Sequence, residues 1–256
     1  MTLLPAEPTF SPGLAVSTKF DAFTRLSADD RATLTNLAHN LRHVDARRDL
    51  IAEGDRPHWV YLVVDGWCAR YKSLPDGRRQ IVSLLLPGDF CGIAAHMLKR
   101  MDHSIVAITR LKLATIAPEE MRALKDDRPR IAQALSWADL VSAAIQREWA
   151  LNLGLRNAYE RLSHLLVELY LRLQAIGLAV DGRCDFPLTQ NDLADATGLT
   201  AVHVNRTLQE LRGEGLIELE RRQLRILDLD RLMSVSMFNP NYLHLGREGR
   251  HLDADE

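Results

Sequence analysis

Residues 188–229 have the sequence LTQNDLADATGLTAVHVNRTLQELRGEGLIELERRQLRILDL. Thr189 can cap a first short helix, and Gly198 gives the backbone the freedom that a tight turn between two helices needs. Thr200 can cap a second helix, which we expect to end at Arg212. Two helices joined by such a turn predict a helix-turn-helix.

The residues after the second helix predict a β-hairpin. Two short apolar-rich strands, at 216–219 and 224–227, are joined by the polar sequence ERRQ. Arg221 and Arg222 therefore lie at the tip of this hairpin. A basic hairpin, or wing, directly after a helix-turn-helix predicts a winged helix-turn-helix, and this combination is more specific than either part alone.

The second helix has two different faces. Ala201, Val204, Leu208 and Leu211 recur at three- and four-residue steps and form a predicted buried stripe. The opposite face suits the major groove of DNA, where arginine pairs with guanine, amides read adenine and apolar groups contact the thymine methyl. The side chains predicted to read bases from this face are Val202, Asn205, Arg206 and Gln209.

Residues around this face are candidates for holding the DNA backbone, since helix starts and arginines suit phosphate groups. The arginines concentrate on the second helix and the wing, which favours DNA binding. The predicted phosphate contacts are Thr189, Thr200, His203, Arg212, Arg221 and Arg222.

The composition limits the class of protein. A chain of 256 residues with a net charge of -2 predicts two domains and no general attraction to nucleic acid. Prolines interrupt the start, MTLLPAEPTFSPGLAV, and no window is apolar enough to cross a membrane, so we expect a cytoplasmic protein without a membrane partner. The widely spaced Cys68, Cys91 and Cys184 make a disulfide framework or a cysteine-ligated cluster unexpected.

Residues 50–115 are rich in short β-like runs, including WVYLVV, WCARYKSL, RQIVSLLL, SIVAIT and LKLATI. Glycines separate the first of these runs at intervals of about eleven residues, a spacing typical of antiparallel sandwiches and barrels. The sequence PDGRR at 75–79 predicts a hairpin in which Asp-Gly takes positive φ angles. We expect a small antiparallel β-roll.

A helical period follows from Arg130, at the alternating four- and three-residue steps of a coiled-coil seam. Such a helix can pack on its own β-roll or pair with the same helix of a second copy, and the polar residues in this narrow seam favour the dimer. Gly154 is an expected hinge, and Gly177 is an expected C-cap of the next helix. The predicted dimer contacts are Ile131, Leu135, Ala138, Ser142, Ile145, Trp149 and Asn152.

Together these patterns predict an α+β chain with an N-terminal antiparallel β-roll, a long dimerisation helix and a C-terminal winged helix-turn-helix. A helix is also expected from Ser27, which can act as its N-cap. The predicted divisions are a flexible arm (1–18), a sensor β-roll (19–125), a dimerisation helix (126–156), a DNA-binding domain (157–232) and a C-terminal tail (233–256).

This order of parts resembles the Crp/Fnr family of bacterial transcription regulators, from about Phe20 to Leu232. The motifs that carry the resemblance are EGDRPHWVYLVVDGWCARYKSLPDGRRQIVSLLLPGDFCG, NAYERL and LTQNDLADATGLTAVHVNRTLQELRGEGLIEL. The resemblance implies a cyclic-nucleotide-binding-like β-roll and a homodimer whose winged helices read a near-palindrome. It also implies base contacts from Ala201, Val202, Asn205 and Arg206. Val202 replaces a glutamate that reads cytosine in many members, so a different operator is expected.

The resemblance also bears on the effector. Members that bind cyclic AMP use a glutamate for the ribose and an arginine for the phosphate, and Ile93 and Met101 stand at these positions. Arg100 is one residue away, but Asp102 would repel a phosphate. We therefore expect no cofactor, and an effector other than cyclic AMP or none. The residues of a candidate effector pocket are Ile93, His96, Met101 and His103.

Other functions are less well supported by the sequence. A haem or metal at His96, His103 and Cys91 is one alternative, although isolated histidines and an apolar cysteine are more typical of surface and core. A jelly-roll metal enzyme would need clustered ligands such as HxH, and the nine histidines are scattered. A sensor acting only through protein partners is a third reading, which the basic wing argues against. We expect a regulator that is not an enzyme and binds double-stranded DNA, with RNA polymerase as a candidate partner.

Overall fold

The computed structural model describes residues 14–37, 40–93, 97–246 and 248–253. A β-roll is followed by one long helix and a winged helix-turn-helix, which confirms the predicted α+β architecture.

Two helices precede the β-roll, α1 (Leu14–Asp21) and α2 (Ala28–Asn36). Ser27 caps α2 as predicted, because its side chain accepts a hydrogen bond from the Asp30 N–H at 3.0 Å. The prediction of a flexible arm is wrong for residues 14–18. They begin α1, and Ala15 and Val16 are buried because Gly88 allows this helix to pack closely. A Cβ at Gly88 would lie 2.9 Å from the Ala15 carbonyl oxygen. The rest of the arm lies outside the described residues.

The β-roll consists of two antiparallel four-stranded sheets, ordered β1-β8-β3-β6 and β2-β7-β4-β5. Apolar side chains fill the space between the sheets. The strands are β1 (Leu41–Val44), β2 (Asp49–Ile51), β3 (Val60–Asp65), β4 (Cys68–Ser73), β5 (Arg79–Leu85), β6 (Phe90–Cys91), β7 (Ser104–Ala107) and β8 (Leu111–Ile116).

The five β-like runs of the sequence are confirmed as β3, β4, β5, β7 and β8. The hairpin at PDGRR joins β4 to β5, but only Gly77 of the Asp-Gly pair has a positive φ angle, +86°. The sequence did not predict β1, β2 and β6, because strands of two to four residues are too short to show a period of two.

Three helices follow: α3 (Pro118–Asp127), α4 (Pro129–Leu155) and α5 (Ala158–Ala175). Asn157 caps α5, and Gly177 has a left-handed φ of +76° just after it, as expected of a C-cap. The prediction of a hinge at Gly154 is wrong, because α4 continues to Leu155 and the chain turns only at Arg156.

The C-terminal domain contains β9 (Ala179–Val180), β10 (Arg183–Asp185), α6 (Gln190–Thr197), α7 (Ala201–Gly213), β11 (Ile217–Glu220), β12 (Gln223–Ile226) and α8 (Leu229–Val235). Its sheet has the order β11-β12-β10-β9, so the predicted wing extends a second hairpin that the sequence did not reveal. The tail contains two short 3₁₀ helices, Pro240–Leu243 and Arg250–Leu252.

The predicted dimer seam of α4 is largely buried within the single chain, whereas a dimer contact has to be exposed before the two copies meet. Five of its residues are at most 7% exposed in the single chain, and the remaining two are half-buried. Trp149 donates from Nε1 to Glu168 of α5 at 3.0 Å, and Asn152 Nδ2 lies 3.1 Å from His164 Nδ1. The buried side chains therefore pack on the chain itself, and their prediction as a dimer contact is wrong for Ile131, Leu135, Ile145, Trp149 and Asn152. For the half-buried Ala138 and Ser142 the dimer contact stays a prediction.

Ion pairs join the helix-turn-helix to the β-roll. Arg47 forms a bidentate pair with Asp192 of α6, with N–O distances of 2.5 and 2.8 Å. Arg79 of β5 contacts Asp195 at 2.7 Å. Burial opposes ionisation of Asp192, but the hydrogen bonds from Arg47 and Thr189, together with the charge of Arg47, outweigh it and hold the pKa of this carboxyl below its usual range. The domains are thus coupled electrostatically as well as by apolar packing.

Candidate nucleic-acid interface

The helix-turn-helix has the predicted local geometry. The Thr189 side chain accepts a hydrogen bond from the Asp192 N–H, and Thr200 accepts one from the His203 N–H, both at 3.2 Å. Gly198 ends α6 with a left-handed φ of +65°. Because each helix cap depends on residues within four positions of it, the caps could be predicted from the sequence.

The two faces of α7 are confirmed. Val204, Leu208 and Leu211 are at most 1% exposed, whereas Val202 is 81% exposed. Val202 therefore lies on the solvent-exposed face of α7 that was predicted to enter the major groove. Of the other predicted base-reading residues, Asn205, Arg206 and Gln209 are exposed and Ala201 is half-buried.

Arg206 is oriented by a neighbour on its own helix. Its Nη2 lies 3.2 Å from Nε2 of His203, one turn earlier. Since the guanidinium can only donate, Nε2 of His203 is the acceptor in this contact. The other guanidinium donors of Arg206 stay available on the exposed face, so His203 acts as a positioning residue here. The contact of His203 with a DNA phosphate stays a prediction.

The wing ends in a two-residue turn made of arginines. Arg221 and Arg222 have positive φ angles of 47° and 64°, the conformation of a type I′ turn, which favours Asn-Gly. The Arg222 carbonyl accepts a hydrogen bond from the Phe186 N–H at 2.8 Å and so fixes the turn. Both arginines are exposed at the tip. A strained backbone that carries two exposed cations is typical of a functional site.

We expect the double variant Arg221→Asn, Arg222→Gly to gain stability and lose affinity for DNA. Relief of two left-handed arginines should raise the free energy of unfolding by about 1–2 kcal/mol. Loss of two phosphate contacts should reduce the slope of log affinity against log salt by about 2. Denaturant unfolding and gel shifts at several salt concentrations measure the two effects. Unchanged DNA affinity would show that the tip does not contact DNA.

Arg212 and Thr189 have structural partners that the sequence did not reveal. Arg212 Nη2 donates to the Leu219 carbonyl at 2.6 Å and ties α7 to the wing. The Thr189 hydroxyl donates to the Asp192 carboxylate at 2.7 Å. These bonds show how both side chains support the interface, while their phosphate contacts stay predictions. The contact of Arg212 with the Leu219 carbonyl could have been predicted only if the position of the wing relative to α7 had been known.

A cavity of about 80 Å³ lies between the β-roll, α4, α5 and the tail. Of the four residues predicted for an effector pocket, Ile93 lines it. Met101 lies instead in the apolar core of the β-roll, and His103 Nδ1 contacts Asp102 at 2.7 Å. His96 lies outside the described residues. Of the three that the structure describes, only Ile93 is therefore brought to this cavity, and all three lie in the connection between β6 and β7 rather than on a strand.

Within the described ranges, no three histidine, cysteine or acidic side chains are grouped as metal ligands. In the same ranges, no helix combines the length and apolar character needed to cross a membrane.

A capped helix-turn-helix with an exposed polar face and a basic wing defines a DNA-binding protein, and comparison with known proteins agrees. A family model described as "Cyclic nucleotide-binding domain" matches residues 41–128, and one described as "Crp-like helix-turn-helix domain" matches residues 160–235. The transcriptional activator protein FnrL of Cereibacter sphaeroides is 32% identical over 213 residues, which cover 82% of this chain and 85% of that protein.

Two further relatives extend the comparison. The nitrogen fixation regulation protein FixK of Bradyrhizobium diazoefficiens is 30% identical over 212 residues, covering 82% of this chain and 88% of that protein. The solved structure of FixK2 from Bradyrhizobium japonicum superposes with a TM-score of 0.69 at 26% identity, over 77% of this chain and 96% of that chain. The chain therefore belongs to the Crp/Fnr family. It is a DNA-binding transcription regulator and not an enzyme.

Proposed function

We propose that this protein acts in the bacterial cytoplasm as a homodimer that reads a near-palindromic operator through α7. The exposed row of Val202, Asn205, Arg206 and Gln209 on a doubly capped helix-turn-helix carries this proposal. One such helix spans only a half-site, so two-fold symmetry doubles the contact. Selection from random duplexes at moderate salt tests it, and binding without sequence preference would refute it.

The outer face of α4 is the surface that best fits a second copy. Ser136, Leu140, Ala143, Arg147, Ala150 and Gly154 recur on it at four- and three-residue steps. Leu140 is 67% exposed and Leu151 is 41% exposed on the same helix. Exposed leucines beside small residues are typical of a close helix–helix contact. This face replaces the buried seam as the proposed dimer contact.

Val202 and Arg206 are the residues proposed to set the operator sequence. Val202 presents two methyl groups where a glutamate would read cytosine, so contact with a thymine methyl is favoured. Arg206 presents a guanidinium oriented by His203, which suits bidentate pairing with guanine.

We expect Arg206→Ala to cost about 1–3 kcal/mol of binding free energy and to relax the preference at one base pair per half-site. Arg225→Ala is the matched control, because Arg225 is exposed on the wing but paired with Glu218 at 3.2 Å. Gel shifts on the selected operator and its single-base variants measure both effects. An equal loss on every sequence would make Arg206 a phosphate contact instead.

The proposed signal is an effector other than cyclic AMP, or none. Ile93 is 2% exposed and apolar at the position where a glutamate would hold the ribose, which supports this view. RNA polymerase is a proposed partner, because the relative FnrL is named as a transcriptional activator.

A further inference from the structure

Helix α6, the first helix of the helix-turn-helix, is attached to the β-roll through two of its side chains. Arg47, between β1 and β2, forms its bidentate pair with Asp192 in the first turn of α6. Arg79 of β5 donates from Nε to the Asp195 carboxylate, about one turn later, at 2.8 Å. The Asp192 side chain is only 2% exposed, so water and ions screen its pair with Arg47 less than an exposed pair. The β-roll therefore holds two successive turns of α6.

The carboxyl-terminal end of α6 is held through its backbone. Gln80 of β5 donates from Nε2 to the Ala196 carbonyl at 3.2 Å. Arg161 of α5 donates from Nη1 to the Thr197 carbonyl at 2.6 Å. The last carbonyls of a helix have no partner within the helix, so a donor from another element binds the helix end directly. Both ends of α6 are thus fixed to elements outside the helix-turn-helix.

Arg161 binds the end of α4 as well. Its Nη2 donates to the Leu153 carbonyl at 3.2 Å and to the Arg156 carbonyl at 2.9 Å, where α4 ends. Among the described residues, its hydrogen-bond partners are all backbone carbonyls at the ends of α4 and α6. A guanidinium presents several donors in one rigid plane, so it holds these acceptors at set positions. One side chain therefore joins the end of α4 to the end of α6.

The turn that leads into α7 lies against the same elements. A Cβ at Gly198 would lie 3.2 Å from Leu153 Cδ2 of α4 and 3.8 Å from Gln80 Oε1 of β5. The turn directly follows the Thr197 carbonyl that Arg161 binds. Helix α7 begins only three residues after Gly198, at Ala201. The position of α7 relative to α4 is therefore set at this turn.

The backbone of Arg47 has an uncommon conformation. Its φ angle is +66°, in the left-handed region that residues other than glycine seldom adopt. The Arg47 N–H donates to the Ala107 carbonyl of β7 at 2.7 Å, so the β-roll keeps the residue in this conformation. Such strain persists where the surrounding structure requires it and is typical of functional positions. The contact of Arg47 with Asp192 is thus part of the design of the β-roll.

We propose that Arg47, Arg79 and Arg161 are positioning residues, which fix α7 relative to α4 so that the dimer accepts operators of one half-site spacing. This inference rests on the proposed function, because α4 supplies the proposed dimer contact and α7 is the proposed reading helix. None of the three arginines belongs to α7. They therefore set the distance between the half-sites and leave the choice of bases to the exposed face of α7.

The geometry of DNA makes the half-site spacing a sensitive measure of this role. One added base pair moves the half-sites about 3.4 Å further apart and turns one relative to the other by about 35°. A dimer whose reading helices are fixed to α4 cannot follow this change without losing contacts to one half-site. If the fixing contacts are removed, each helix-turn-helix can follow its half-site, so the penalty for a wrong spacing becomes smaller.

The experiment uses the full chain and the selected operator, with its half-site spacing lengthened or shortened by one base pair. We expect the wild type to bind the best spacing at least about tenfold more tightly than either neighbour. Arg161→Met keeps an unbranched side chain without a donor, so this ratio should fall to about threefold or less while the base preference within each half-site is kept. Arg122→Met, on the exposed side of α3, is the matched control and should keep the wild-type ratio.

The affinity ratio between spacings separates a positioning role from a merely structural one. If Arg161→Met lowers the affinity equally at every spacing, the ratio stays at its wild-type value and the role of Arg161 is overturned. A wild type that reads its half-sites at every spacing would overturn the inference but not the proposed function. A wild type without sequence preference would refute the proposed function itself, and with it this inference.

A charge reversal at the β-roll tests the same role if Arg161→Met does not fold. The Arg79 and Asp195 side chains are 31% and 28% exposed, so the protein can accommodate changed charges there. Arg79→Glu places two carboxylates together, and the spacing ratio should fall by at least about threefold. Adding Asp195→Arg restores a pair of opposite charges and should restore the ratio. An unchanged ratio in Arg79→Glu, or no recovery in the double variant, would overturn the proposal.

Discussion

Leu140→Glu should convert the protein from a dimer to a monomer. The change places a charge on the outer face of α4, where pairing with a second copy would bury it without a partner. A monomer binds only one half-site. Operator affinity should therefore fall by at least about 100-fold, because the two recognition helices are no longer joined in one molecule. Analytical ultracentrifugation measures the first effect and gel shifts measure the second.

Val180→Glu is the matched control for this prediction. Val180 is 62% exposed and belongs to β9 of the C-terminal domain, not to α4. It should leave both the dimer and the operator affinity unchanged. A Leu140→Glu protein that remains dimeric would show that the outer face of α4 is not the contact.

Glu168→Ala should be the most destabilising of these changes. The Glu168 carboxylate is fully buried and accepts hydrogen bonds from Trp149, Tyr242 and Arg172 at 3.0, 2.9 and 3.2 Å. Burial raises its pKa, against the opposing charge of Arg172. Alanine would leave the buried Trp149 donor and the half-buried Tyr242 and Arg172 donors short of an acceptor, so we expect a loss of about 3 kcal/mol in the free energy of unfolding. For a chain of this size the melting temperature should fall by about 6–12 °C.

Two further variants show whether the carboxylate itself is responsible. Glu168→Gln keeps an acceptor for Trp149 and Tyr242 but loses the charge facing Arg172, so it should recover part of the loss. Glu120→Ala, on the exposed side of α3, should change stability by no more than about 1 kcal/mol. Thermal unfolding compares the three proteins. Equal effects of Glu168→Ala and Glu120→Ala would contradict a structural role of the buried carboxylate.

The sequence predicted the helix-turn-helix well because its signals are local. Thr189, Gly198 and Thr200 act on backbone groups within four residues, and the faces of α7 follow from the helical period alone. The β-roll was predicted for the same reason, from runs with a clear pattern and a Gly-containing turn. Its shortest strands were missed because two to four residues carry too little pattern.

The seam of α4 shows where such reasoning ends. The four- and three-residue steps correctly identified a buried face, and two coverings were compatible with that face. Only the tertiary structure shows that α5, the β-roll and the tail cover it, and the outer face then became the candidate dimer contact. The spacing of apolar residues indicates that one face of the helix is buried, but it does not indicate which element packs against that face.

The sequence by itself therefore determined the elements, their caps, the side chains on the exposed face of α7 and the family. The tertiary structure decided which side of α4 is free and that the tail packs along this helix. Both depend on contacts between residues far apart in the chain, such as Arg130 with Leu252 and Gly249 with Phe23. Such contacts follow from the packing of whole elements against one another, which no local pattern of residues encodes.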